Sequence, residues 1–139
     1  MQHGTVVRSP IWATSPVYRV LTAFPIACFS LTVATDIAYW RTSNLLWLHF
    51  SEWLLLAGLV FGILAAVFLA LASLFRRGST SWPHALGGIV VLLLAALNSF
   101  IHTADGWTAV MPYGLATSVV TLLAMIFTGL AGGRGRYHD

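Results

Sequence analysis

At 139 residues, with hydrophobic residues at 58 % and charged residues at 8 %, the chain carries too little polar surface for a water-soluble domain, but it has room for four lipid-crossing spans of about 20 residues each. Seven arginines, no lysine and four acids leave a formal net charge of +3, and because the arginines gather near span ends they mark sidedness rather than a nucleic-acid surface. The single cysteine, Cys28, has no partner in the chain, which excludes an internal disulfide framework and a cysteine metal site.

The first span is expected from Tyr18 to Tyr39, entered through Ser15-Pro16, with Pro25 in its first turns suggesting a bend. A cleaved leader ending at Cys28 is not expected. Arg19, Thr22 and Pro25 interrupt the stretch before it, and the apolar run continues past it to Tyr39. The second span reads from Phe50 to Phe75, preceded by an aromatic belt between Trp47 and Trp53 and followed by Arg76 and Arg77. The third runs from Pro83, well placed at a first helical turn, to His102. The fourth begins at Val110 or Pro112, reaches Leu130 and is closed by Gly132, Gly133, Arg134, Gly135 and Arg136.

These spans predict an all-α integral membrane protein, a four-transmembrane-helix bundle with up-down-up-down connectivity. Residues 1–17 form an N-terminal segment, 18–131 the membrane domain and 132–139 a tail. Six arginines (Arg8, Arg19, Arg76, Arg77, Arg134, Arg136) fall on one side and Arg41 on the other, which puts both termini in the cytoplasm. The expected location is a bacterial inner membrane, crossed several times. Asp36, His49, Glu52, His102 and Asp105 then gather at the outer ends of the helices, with His84 near the inner face. His3 and His138 lie in tails and carry no role.

Three groups of residues stand out. Along span three, His84, Gly88, Val91, Ala95, Asn98 and His102 recur at three- and four-residue steps, forming a stripe expected to face the bundle interior. Asn98 and Asp36 are costly in lipid without partners and are expected to share a polar pocket. In span two, Gly58, Gly62 and Ala66 make a close-packing strip. Packing inside the bundle is the preferred reading of that strip, and dimerisation or a docking face for a partner is the alternative. His49 and His102, on neighbouring helices near one interface, are the candidate ligands for haem b or a metal; polar anchoring beside tryptophans is the ordinary reading of both. His84 and His102 are about 27 Å apart along one helix and cannot share an iron.

The pieces Ser15-Pro16, Phe24-Pro25-Ile26, Asp36, Ala57-Gly58-Leu59, His84-Ala85-Leu86, Asn98, Asp105-Gly106-Trp107, Pro112-Tyr113-Gly114-Leu115, Gly132-Gly133 and Tyr137-His138 follow one another in an order that resembles the domain of unknown function 2231 family of small bacterial four-helix membrane proteins. The resemblance covers about four-fifths of the chain. It departs at Ser15 and Ala23, where members commonly carry histidine. The resemblance implies association with respiratory or sugar-oxidising membrane enzymes, and in some relatives haem binding.

No serine-hydrolase elbow, zinc-protease helix or phosphate-binding glycine loop occurs. The leading expectation is therefore a non-catalytic accessory or anchoring subunit of a membrane complex, without cofactor, its partners the lipid bilayer and a membrane protein or a second copy of itself. The alternatives are a haem b or metal electron-transfer subunit using His49 and His102, and a proton or ion pathway through Asp36 and Asn98.

Overall fold

The computed structural model describes residues 15–75, 82–104 and 110–134. Among these, four long helices account for nearly every residue: α1 (Pro16–Thr42), α2 (Leu45–Phe75), α3 (Trp82–Thr103) and α4 (Leu115–Arg134). Each is long and apolar enough to cross a membrane. At 27 and 31 residues, α1 and α2 reach about 40 and 46 Å, beyond a hydrocarbon core of about 30 Å. Trp40, Trp47 and Trp53 lie near the connected ends of the two helices, the kind of position that tryptophan favours at a membrane interface.

Local chemistry sets the helix ends. Ser15 is extended (φ −61°, ψ 127°), and Pro16 occupies the first helical position of α1, where its missing N–H costs nothing. The helix continues through Pro25 to Thr42 and is closed by Ser43 in the left-handed conformation (φ 51°), whose N–H donates to the Tyr39 carbonyl at 2.7 Å. Asn44 then accepts the Leu46 N–H on Oδ1 at 3.0 Å and starts α2. This two-residue joint begins α2 at Leu45, five residues before the expected Phe50, so the aromatic belt is itself helical. Span four, expected from Val110 or Pro112 to Leu130, is present as Met111–Ala131, but it opens in a turn. Met111 is extended (φ −117°, ψ 122°) within a wide turn, Val110–Gly114, and regular helix starts only at Leu115. Pro112 excludes a helical conformation for the residue before it, which separates the turn from the helix. The Met111–Pro112 peptide is cis. Arg76, Arg77, Asp105 and the two tail histidines lie outside the described residues.

The helices close into a ring in which α1 packs on α2 and α4, and α3 packs on α2 and α4. Side-chain contacts give the direction. Tyr18 stacks on Phe68 and Phe24 on Phe61, while Ser51 meets Asp36, so α1 and α2 run antiparallel. The Asn98–Ser118 and Gly87–Thr128 contacts give the same sense for α3 and α4.

The interior inverts the order of a soluble protein. Large apolar side chains such as Leu74, Phe100 and Phe127 face outward, while Asp36, Ser51, Asn98, His102, Ser118 and Thr121 are buried. Lipid solvates the former at no cost and cannot solvate the latter, so the polar groups turn toward one another. Across the middle, Phe29, Leu55, Val91 and Ala95 form an apolar layer, backed by Leu59, Ala124 and Met125.

The small-residue strip of α2 lies within this packing. A Cβ at Gly58 would stand 2.5 Å from Phe29 Cε1 and 3.0 Å from Cys28 Cβ, and one at Gly62 would stand 2.6 Å from Leu92 Cδ2. Both glycines thus admit neighbouring helices of the same chain, and Gly58 presents no face to a partner. Ala66, one turn further, is exposed beside an interhelical cleft.

Candidate functional site

The stripe of α3 faces inward, with Val91, Ala95, Asn98 and His102 buried, and its last turns deliver Asn98 and His102 to a buried polar centre at one end of the bundle. Antiparallel neighbours bring the late turns of α1 and the early turns of α2 and α4 to the same level. Asp36, wholly buried, is the hub. Its Oδ1 accepts from Ser51 Oγ of α2 at 2.6 Å and lies 2.9 Å from His102 Nε2 of α3. Its Oδ2 accepts from Ser118 Oγ of α4 at 2.6 Å. One carboxyl group on α1 therefore contacts each of the other three helices.

The bonds around it have a definite order. Each hydroxyl carries one proton. With the Ser118 proton committed to Asp36, the Ser118 oxygen accepts from Asn98 Nδ2 at 2.8 Å. That choice orients the amide and leaves Asn98 Oδ1 buried without a partner among the described residues. Ser51, donating to Asp36, in turn lies 2.7 Å from Thr35 Oγ1, which completes a run of Thr35, Ser51 and Asp36. Other buried hydroxyls take no part. Thr32 bonds the Cys28 carbonyl and Thr121 the Thr117 carbonyl, each satisfied by its own helix.

His102 has both ring nitrogens facing oxygens. Nδ1 lies 3.0 Å from the Asn98 carbonyl and Nε2 lies 2.9 Å from Asp36. A carbonyl only accepts, so Nδ1 carries a proton. A second proton, between Nε2 and Asp36 Oδ1, fits either as imidazolium with carboxylate or as neutral imidazole with carboxylic acid. Both placements preserve every heavy-atom contact. The two groups are wholly buried, where charges are expensive unless they are paired.

The expected pocket shared by Asp36 and Asn98 is present, joined through Ser118. The three described histidines stand in three different situations. His102 is buried on Asp36, His49 is exposed on α2 and pairs with Glu52 at 3.3 Å, and His84 lies toward the other end of α3. Haem or a metal at His49 and His102 needs a free nitrogen from each, and both His102 nitrogens are engaged. The two rings also belong to different pairs. These residues do not fit an axial haem pair, and among the described residues no group of three or more His, Cys, Asp or Glu side chains is placed to hold a metal. Ser51 and Ser118 were not singled out in the sequence. Ser51 is the one hydroxyl in the first four turns of α2, and Ser118 lies one residue after Thr117 in an apolar helix. Each is a polar atom needing a partner in lipid, but neither spacing shows which partner it finds.

No curated protein and no solved structure matches the chain. A family model does, over residues 14–139, and its description as a membrane protein agrees with the four helices long and apolar enough to cross a membrane. The chain belongs to the family described as Predicted membrane protein (DUF2231).

Proposed function

We propose that this membrane protein binds and releases a proton inside the bilayer, at the Asp36–His102 pair. The observation that carries the reading is the fully buried carboxyl group of Asp36, contacted by all three other helices and sharing one proton position with His102. An ionisable group within a span is expensive to keep, and Asp and His chains there are a recurrent means of handling protons. Ser51 and Thr35 extend the hydrogen-bonded network from this carboxyl group to the backbone of α1. The apolar layer of Phe29, Leu55, Val91 and Ala95 lies on the other side. From Asn98 to Val91 that layer spans about 10 Å along α3, so the geometry favours a site reached from one end over a continuous pathway.

The test is a pH series on the purified protein in lipid nanodiscs, followed by the infrared carbonyl stretch of a protonated carboxyl group. One reversible band lost in Asp36→Asn is expected. A spectrum in which no such band depends on Asp36 would reduce the network to a fastening between helices.

We further infer that the protein serves as a non-catalytic accessory subunit in a bacterial inner membrane with both termini cytoplasmic. Six arginines on one side and one on the other support the orientation, and the absence of any hydrolytic motif supports the non-catalytic role. Because Gly58 packs on Phe29, a partner subunit would meet the outer apolar faces instead of the glycine strip. Copurification under mild detergent, with mass spectrometry of the retained chains, tests this assignment. A chain recovered alone from native membranes would count against it.

A further inference from the structure

A cleft of about 440 Å³ opens toward the end of the bundle away from Asp36, between Pro25 and Phe29 of α1, Ala66 of α2, His84 and Gly88 of α3 and Gly129 of α4. Its volume falls within the range of about 300–1,000 Å³ usual for small-molecule sites. Three observations define what it could take. Among the described residues no Asp, Glu, Lys or Arg lines it, and a charged head group would find no compensating partner there. His84 lines it, and Nδ1 of that ring is buried with no hydrogen-bond partner among the described residues. A Cβ added at Gly88 or Gly129 would meet nothing within 4 Å, so bare backbone forms part of the wall and open space lies beside it.

A buried ring nitrogen without a partner costs free energy unless a ligand supplies one. As N–H it donates, and the matching group on an uncharged ligand is a carbonyl oxygen. Ile26 and Ile89, also on the lining, are exposed on the lipid-facing surface, which leaves an apolar exit for a tail.

We propose that this cleft binds a neutral, carbonyl-bearing, lipid-soluble ring compound of the isoprenoid quinone class, with His84 Nδ1 donating to one ring carbonyl. The ring lies against Gly88 and Gly129, and the tail leaves into the bilayer past Ile26 and Ile89. Phe29 and Val91, which line the cleft, also belong to the apolar layer that separates it from the Asp36 centre. Binding here is therefore independent of the proposed proton site.

The experiment measures binding of decylubiquinone to the full chain in phosphatidylcholine nanodiscs, with partition into protein-free discs subtracted. Saturable binding near one molecule per chain is expected. His84→Phe, which keeps a ring and removes the donor, should weaken it about five- to tenfold. Gly88→Leu, which fills the space, should abolish it while the bundle stays folded. Should Gly88→Leu fail to fold, Gly129→Leu fills the cleft from α4 and gives the same readout. Binding no greater than partition, or both variants binding as wild type does, overturns the proposal. Native mass spectrometry supplies the lipid arm: a retained phospholipid that decylubiquinone does not displace would make the cleft a seat for an acyl ester and would equally overturn the quinone assignment.

Discussion

His102 Nε2 lies 2.9 Å from Asp36 Oδ1, across 66 residues of chain, with both side chains fully out of solvent. The contact joins the late turns of α1 and α3, two helices that sit across the ring from each other. Ser51 and Ser118 reach the same carboxyl group from the helices between them. Register among all four helices is thereby tied to a single side chain.

Removing one member of that pair should be worse than removing both. Asp36→Leu leaves His102 Nε2 without its partner, and His102→Leu leaves the buried Asp36 carboxyl group with the Ser51 and Ser118 hydroxyls alone. Breaking a buried pair this way costs about 3–5 kcal/mol, whereas replacing both members with apolar groups is often near neutral. In a double-mutant cycle followed by unfolding in mixed micelles, the double variant should therefore lie well above the sum of the singles. Additive losses would show that the two side chains act separately.

The two buried hydroxyls of α4 should respond differently to deletion. Ser118→Ala strips a donor from Asp36 Oδ2 and an acceptor from Asn98 Nδ2, at about 2 kcal/mol for the groups left unpaired. Thr121 is as deeply buried, yet it bonds only its own helix, so Thr121→Val should stay within about 0.5 kcal/mol. Thermal melting of both variants in one detergent checks the order, and equal losses would mean that burial, and not the network, sets the cost.

Glycines in similar sequence settings should also diverge. Gly58→Ala drives a methyl group into the buried Phe29 ring and the Cys28 Cβ, an overpacking cost of about 1–3 kcal/mol. Gly88→Ala meets open space and should be neutral or stabilising by up to about 1 kcal/mol through helix propensity. Chemical denaturation of the two variants side by side measures the difference.

How far these features can be read from the chain depends on the kind of information each requires. Helix positions follow from local rules: Pro16 and Pro83 at first turns, and apolar runs long enough to cross lipid. The α3 stripe follows from spacing alone, because residues three and four apart share a face. The fourth span follows from its apolar run and lies at Met111–Ala131, whereas the onset of its regular helix at Leu115 is set by Pro112 acting on Met111. His49 and His102 lie toward the same end of the bundle, yet one ring turns to Glu52 and the other to Asp36. That divergence is rotational and has no trace in hydropathy.

By itself, the sequence determined that this is a membrane protein with four spans, that Asp36 and Asn98 need partners, and that Gly58 marks a close approach. Those conclusions rest on free energies of transfer, which depend on composition and period. Only the tertiary structure decided that Ser51, Ser118 and His102 are the partners of Asp36, that Gly58 receives Phe29 of the same chain, and that His84 lines a separate cleft. Lipid forces a buried polar group to find a hydrogen bond but does not say with whom, and the choice falls to the rotation and register of whole helices packed against one another.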